Sequence, residues 1–109
     1  MLKPGDVVTA RFRGAIATKY RPTVVVSTDL YQATRPDVVV AELTTNIVDA
    51  TGPTDYVLHD WATAGLHRQS AFGAYFGMHL PSELRWIGHV SDRDWQEIQA
   101  RLRLALAVT

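Results

Sequence analysis

RPTVVVSTDLYQATRPDVVVAELTTN, residues 21–46, contains two short apolar runs separated by a polar connection. The run at residues 23–27, TVVVS, is β-branched and short enough to form a strand buried on both faces. The run at residues 37–43, DVVVAEL, is almost entirely apolar and predicts a strand in the middle of a sheet. We expect the connection, residues 30–36, to contain a helical turn. This segment therefore predicts two buried strands.

Strand patterns also occur on both sides of this segment. After the Pro4-Gly5 turn signal, residues 6–12 alternate apolar and polar side chains, which predicts a half-buried first strand. Residues 14–20 are predicted to be a loop, and Pro22 marks the start of the next strand. Further strands are expected at residues 55–58, 70–76 and 84–90. A short helical turn at residues 61–65 is expected to end at Gly65.

The last element is a predicted amphipathic helix. Ser91 followed by Asp94 has the form of a capping box, with Asp in place of the usual Glu or Gln. Trp95, Ile98 and Leu102 then recur at helical spacing, which gives the helix one apolar stripe. The complete pattern predicts a mainly β, α+β fold: a small antiparallel β-barrel or sheet with a C-terminal helix. We expect a single domain, residues 1–109.

The composition excludes several classes of site and of protein. The 109 residues include no cysteine, so disulfides, thiolate metal ligands and cysteine nucleophiles are excluded. Apolar residues make up 47% of the chain, which is enough for a hydrophobic core. No apolar run approaches the ~20 residues that span a membrane, and the first residues lack the pattern of a secretory signal. We therefore expect a cytoplasmic protein.

The charges are balanced overall but unevenly distributed. The formal net charge is zero. Residues 7–28 contain no acid, whereas residues 36–67 contain no Lys or Arg. A basic segment beside an acidic one could concentrate phosphate at one place, although an ordinary mixed surface gives the same counts.

Several motifs, in this order along the chain, resemble the MazF/PemK toxin family. They are KPGDVV at residues 3–8, RPTVVVSTDLY at residues 21–31, VVVAELTTN at residues 38–46, DWATAGLHRQS at residues 60–70 and GHVS at residues 88–91. The resemblance implies an SH3-like barrel and a metal-independent endoribonuclease, an mRNA interferase that cuts single-stranded RNA at short sequences. It also implies a homodimer, a cognate antitoxin that neutralises it, and no cofactor or metal.

The resemblance also implies positions for the active site. The two catalytic positions of the family fall on Arg21 and Thr44. Residues expected to bind RNA are Arg11, Arg13, Lys19, Tyr20, Arg68 and Ser70.

These residue types suit metal-free RNA cleavage. The resemblance implies that the 2′-hydroxyl attacks its own phosphate, leaving a 2′,3′-cyclic phosphate and a 5′-hydroxyl. A guanidinium matches a phosphate with a fixed fork of donors, so Arg21 would stabilise the developing charge. Thr44 would offer a hydroxyl on a rigid strand end, either to a phosphate oxygen or to orient the 2′-hydroxyl.

Three alternatives stay open from the sequence. His59 and His67 flank one segment and could act in a two-histidine ribonuclease mechanism, although no close metal-ligand spacing is present. A non-catalytic inhibitor of the CcdB type could share the fold, but those proteins depend on a Trp-Gly-Ile ending that this chain lacks. A plain SH3-like protein-interaction module is the third alternative.

The sequence also departs from the family pattern at two places. The loop before Arg21-Pro22 lacks the Glu and Gln that many members carry, so Lys19 and Tyr20 are candidates to replace them. Ser70 is not followed by the basic residue found in one branch of the family, and Arg68 is a candidate substitute.

Overall fold

The computed structural model describes residues 1–13 and 16–108, with Arg13 described by its backbone only. Its strands are β1 (Asp6–Arg13), β2 (Thr18–Val25), β3 (Val38–Thr44), β4 (Tyr56–Val57), β5 (Ala71–His79) and β6 (Leu84–His89). Its helices are α1 (Asp29–Thr34) and α2 (Asp92–Ala105). None of these helices is long and apolar enough to cross a membrane.

The six strands form one antiparallel sheet in the order β4-β5-β3-β2-β1-β6. The predicted fold class, a small antiparallel β structure with a C-terminal helix, is therefore confirmed. Within residues 1–13 and 16–108 the sheet is not closed, since β4 and β6 lie at its two edges. The predicted central position of the third strand is correct, because β3 lies between β2 and β5.

The apolar runs of residues 21–46 are buried on both sides of the sheet, as predicted. Val24 belongs to a core cluster that includes Phe72 and Ile98, while the next residue, Val25, belongs to a second cluster with Val40. Successive side chains of a strand point to opposite faces, so this run separates the two clusters. Burying each such side chain contributes roughly 1.5–3 kcal/mol to folding.

The predicted boundary of the second strand was wrong. Within the segment predicted as a loop, residues 18–20 already belong to β2 and pair with β1. Pro22 lies inside the strand, opposite Thr9, rather than at its start. The pairing of β2 with β3 begins only at Thr23. Proline has no N–H to donate to a neighbouring strand. It is tolerated here because β2 pairs only with β1 at this position and β3 does not yet pair with it.

The predicted turn ending at Gly65 has the hydrogen bonds of a helix C-cap. Leu66 N donates to Trp61 O at 3.2 Å, and Gly65 N donates to Ala62 O at 3.1 Å, which is the Schellman pattern. Gly65 has φ +92, and a Cβ there would lie 2.6 Å from Ile87 Cγ2. Glycine is thus required both by the backbone conformation and by the close approach to β6.

Helix α2 begins as predicted, but its capping box is only half formed. Ser91 Oγ accepts the Asp94 N–H at 3.3 Å. The Asp94 side chain, 0% exposed, accepts instead from Tyr56 Oη at 2.6 Å, His59 N at 3.0 Å and Asp60 N at 2.8 Å. A buried carboxylate needs several donors, and residues 56–60 provide three. Asp94 therefore ties α2 to the segment that contains β4.

A second set of contacts strengthens this junction. Asp60 accepts two hydrogen bonds from Arg93, both at 2.7 Å, and one from Ser91 Oγ at 2.6 Å. The hydrogen bonds from Arg93 first, and then that from Ser91, hold the pKa of Asp60 below its ordinary range. Along the rest of α2, Ile98 is fully buried, and Trp95 and Leu102 pack against the core, as their spacing predicted.

Candidate active site

Arg21 extends from β2 toward β3. It lies opposite Ala10 on β1, and Thr23, two residues further along the same face, lies opposite Glu42 on β3. Arg21 and Glu42 are therefore diagonal neighbours across the sheet, within reach of long side chains. Arg21 Nη1 donates to Glu42 Oε1 at 2.9 Å, with the two side chains 47% and 23% exposed. The basic and acidic segments of the sequence meet in this ion pair.

Thr44 is the last residue of β3 and lies two residues beyond Glu42. Residues at this spacing in a strand share a face. Thr44 Oγ1 accepts the Asn46 N–H at 3.1 Å, a bond that fixes the hydroxyl at the strand end. Among the residues that the structure describes, the Thr44 hydroxyl hydrogen has no acceptor. It is therefore available to donate to a bound group.

Glu42 and Thr44 line an open cleft of about 370 Å³. The wall opposite β3 comes from β5 and from the connection between β3 and β4. The lining residues are Glu42, Thr44, Asn46, Asp49, Ala50, Asp55, Phe72, Gly73 and Tyr75. Tyr75 is 75% exposed, so its ring is available to a ligand.

Three carboxylates line this cleft, and two of them are held by their own loop. Asp49 Oδ2 accepts from Asn46 Nδ2 at 2.7 Å, and Asp55 Oδ2 accepts from Gly52 N at 2.9 Å. Glu42 is bound instead to Arg21. Across residues 1–13 and 16–108, no three His, Asp or Glu side chains form a group that could hold a metal ion.

The predicted RNA-binding residues of the β1–β2 hairpin lie on both of its faces. Lys19 lies opposite Phe12 and shares the face of Arg21. Arg11 and Tyr20 lie opposite each other on the other face. They line a second cleft of about 830 Å³, which also includes Arg85. The structure therefore separates Arg11 and Tyr20 from the cleft that Glu42 and Thr44 line.

Ser70 and Arg68, two other predicted RNA-binding residues, do not line the cleft either. Ser70 is buried, and its hydroxyl donates to Arg68 O at 2.9 Å, so it stabilises the turn before β5. The Arg68 side chain is exposed on that turn. The side chain of Arg13 lies outside the described residues. We therefore base no part of the proposed site on these three.

The two histidines considered as alternatives, His59 and His67, are both exposed, and neither lines the cleft. Glu42 and Tyr75, which line the cleft, were not among the site residues predicted from the sequence. Glu42 could have been found, because it is the one charged residue in the apolar run of residues 38–43 and precedes Thr44 by two. Tyr75 could not have been found, because no local sequence pattern predicts that β5 pairs with β3.

Comparison with known proteins gives a family match over nearly the whole chain. The family model described as PemK-like, MazF-like toxin of type II toxin-antitoxin system matches residues 3–106. No curated protein matches the sequence.

Several solved structures resemble this one. One is an endoribonuclease in complex with its cognate antitoxin from a mycobacterial species, with TM-score 0.78 and 22% identity over 100% of this chain and 98% of that chain. A second is MazE–MazF (Form-III) from Deinococcus radiodurans, with TM-score 0.77 and 14% identity. The match covers 99% of this chain and 98% of that chain. A third is the Mycobacterium tuberculosis toxin MazF-mt6, with TM-score 0.75 and 18% identity. The match covers 95% of this chain and 98% of that chain. These similarities establish the shared fold.

Proposed function

This chain belongs to the PemK-like, MazF-like toxins of type II toxin–antitoxin systems, and from that premise we propose that it is an endoribonuclease. It cuts single-stranded RNA at the cleft that Glu42 and Thr44 line, beside Arg21, without a metal ion and at selected sequences. We place this activity in the cytoplasm, where its substrate is.

The observation that carries the proposal is the position of two unused donor groups beside one cleft. Arg21 makes one hydrogen bond among the described residues, through Nη1, so Nη2 and Nε are free to bind a phosphate. Thr44 has its hydroxyl hydrogen free. Both groups can donate to phosphate oxygens, where charge builds as the 2′-oxygen attacks. The products are then a 2′,3′-cyclic phosphate and a 5′-hydroxyl.

The form of the cleft favours single-stranded RNA. Its opening leaves Tyr75 exposed, and an unstacked base on such a ring gains about 1–3 kcal/mol. Bases in a duplex are already stacked and cannot use this contact. Lys19, on the same face as Arg21, adds a cation for a neighbouring phosphate.

We also propose that the toxin is a homodimer and that an antitoxin neutralises it. Five large apolar side chains stay exposed between residues 75 and 86, and we infer that a second copy of the chain covers those that the substrate does not use. The five side chains are Tyr75, Phe76, Met78, Leu80 and Trp86. Two similar solved structures are complexes with an antitoxin. An acidic antitoxin segment could pair with Arg11 on β1 and Arg85 on β6, which line the same cleft.

The test of activity uses the purified chain with a long single-stranded RNA in excess EDTA. Duplex RNA and single-stranded DNA of the same sequence serve as controls. We expect discrete cuts in the single-stranded RNA alone, with cyclic-phosphate and 5′-hydroxyl ends. Cuts that require added metal, or a folded protein that cuts no RNA, would overturn the proposal and favour a toxin that acts by binding.

A further inference from the structure

The pair formed by Arg21 and Glu42 holds a carboxylate beside the expected position of the scissile phosphate. Arg21 uses Nη1 for Glu42, which leaves the other edge of the guanidinium for phosphate. A guanidinium is only a few ångströms wide, so a phosphate on that edge lies next to Glu42. The 2′-hydroxyl that attacks this phosphate is attached to the adjacent sugar. Glu42 thus lies where a group could accept the proton of the attacking hydroxyl.

We propose that Glu42 is the general base of the RNA cleavage, a role that rests on the proposed function of this cleft. General-base catalysis requires a proton acceptor within hydrogen-bond reach of the nucleophile. Arg21 remains charged at any physiological pH and accepts no proton, and Thr44 donates its hydroxyl hydrogen. The carboxylate of Glu42 supplies the acceptor that these two residues lack.

The other acids of the cleft are less well placed for this role. Asp49 is held by Asn46, and Asp55 by the backbone N–H of Gly52, in the connection between β3 and β4. Neither contacts Arg21 among the described residues. Glu42 is also on a rigid central strand, which fixes its distance from Thr44.

The step balances without any further reactant except water. Glu42 takes the proton from the 2′-hydroxyl, and the 2′-oxygen forms its bond to phosphorus. The bond from phosphorus to the 5′-oxygen breaks, and its electron pair stays on that oxygen, which takes a proton from water. Glu42 then returns its proton to the solvent, and Arg21 and Thr44 stabilise the charge on the non-bridging oxygens throughout.

The charged and titratable groups around Glu42 come from three parts of the fold. Arg21 faces it from β2, Asp49 and Asp55 from the connection, and Tyr75 from β5. In the free protein Arg21 stabilises the carboxylate. Of these groups, Arg21 is the one whose hydrogen bond to Glu42 is present among the described residues.

The experiment measures kcat and KM against pH in EDTA for the wild type, Glu42→Gln and Glu42→Asp. We expect Glu42→Gln to lower kcat by about 100-fold or more. It should also remove the fall in kcat toward acid pH that protonation of a carboxylate base causes. Glu42→Asp should keep that acid limb at an intermediate rate. Glu97→Gln breaks a different Glu–Arg pair, at 3.2 Å on α2, and should leave the profile unchanged.

Binding of an RNA that carries 2′-deoxy nucleotides, and so cannot be cut, separates lost chemistry from lost folding. Glu42→Gln should bind it at least as tightly as the wild type, because a negative charge near the phosphate is gone. If Glu42 only restrains Arg21, the variant will cleave faster at every pH and keep the acid limb, which overturns the general-base role alone. A wild type that cleaves no RNA overturns the proposed function as well.

Discussion

Thr44 offers a hydroxyl whose oxygen accepts the Asn46 N–H and whose hydrogen meets no acceptor in the part of the chain that the structure describes. Thr44→Val keeps the shape of the side chain and removes this donor, so we expect kcat to fall about 100-fold or more. Thr44→Ser keeps the hydroxyl and should stay within about tenfold of the wild type. Cleavage rates in EDTA test this, with urea denaturation as a check on folding. A Thr44→Val variant as active as Thr44→Ser would contradict the role.

Among single residues, the sequence predicted Arg21 and Thr44 as the catalytic pair, but only through the family resemblance. The structure places both beside Glu42, and their catalytic roles stay predictions. Glu42 was missed because its link to Arg21 runs diagonally between β2 and β3, across 21 residues of chain. Ser70 was expected to bind RNA, and its burial could not be foreseen from a residue type that is usually exposed.

Among the elements, α2 depends on one buried carboxylate. Asp94→Ala removes the acceptor of Tyr56 Oη and of two backbone N–H groups, at His59 and Asp60. These donors are only partly buried, whereas the carboxylate that they bind is fully buried, so we expect the free energy of unfolding to fall by about 1–3 kcal/mol. Urea denaturation measures the loss, and Asp92→Ala, at the exposed start of α2, is the control. A loss as small as that of the control would contradict the role of Asp94.

At the same junction, ionisation of Tyr56 makes the free energy of unfolding depend on pH in the alkaline range. Burial first, and then the hydrogen bond to Asp94, raise the pKa of Tyr56 above its ordinary value of about 10. A raised folded-state pKa stabilises the protein fully below the unfolded-state pKa, and this contribution is lost as pH rises beyond it. Tyr56→Phe should therefore be less stable than the wild type at pH 7, and the difference should shrink above about pH 10. Urea denaturation across this range tests it, and a constant difference would contradict it.

Local patterns predicted the existence of most elements and failed at particular boundaries. Residues 18–20 were assigned to a loop because their polar side chains give no apolar alternation, yet pairing with β1 makes them a strand. The capping box of Ser91 and Asp94 was half right, since a tertiary partner at Tyr56 took the Asp94 side chain. In both cases a contact distant in sequence outweighed the local preference.

For the whole molecule, the exposed apolar side chains between residues 75 and 86 predict a dimer. We expect light scattering on a gel-filtration column to give twice the mass of the chain. Trp86 is 60% exposed, and Trp86→Lys should shift the population to the monomer. Leu104→Lys on α2 replaces a similarly exposed apolar residue and should leave the dimer intact. A wild-type monomer at micromolar concentration would contradict the assembly.

The order of strands in the sheet could not be predicted from apolar patterns. β6 pairs with β1, as in the pair of Asp6 and His89, 83 residues apart. No local signal records such a pairing, whereas the number of strands, the central position of β3 and the final helix follow from periodicity. The mainly β, α+β class came from both the pattern and the resemblance, and the similar solved structures support it, while the sheet of the described residues is open rather than closed into a barrel.

The measurement that tests the central claim most directly compares three proteins on one long single-stranded RNA in EDTA, with the cuts mapped by primer extension. They are the wild type, Arg21→Ala and Arg103→Ala, the last of which removes an exposed arginine from the far end of α2. We predict discrete cuts by the wild type and by Arg103→Ala, and at least about 100-fold slower cleavage by Arg21→Ala. A folded Arg21→Ala protein that makes the same cuts at the wild-type rate would contradict the claim that this cleft is the active site.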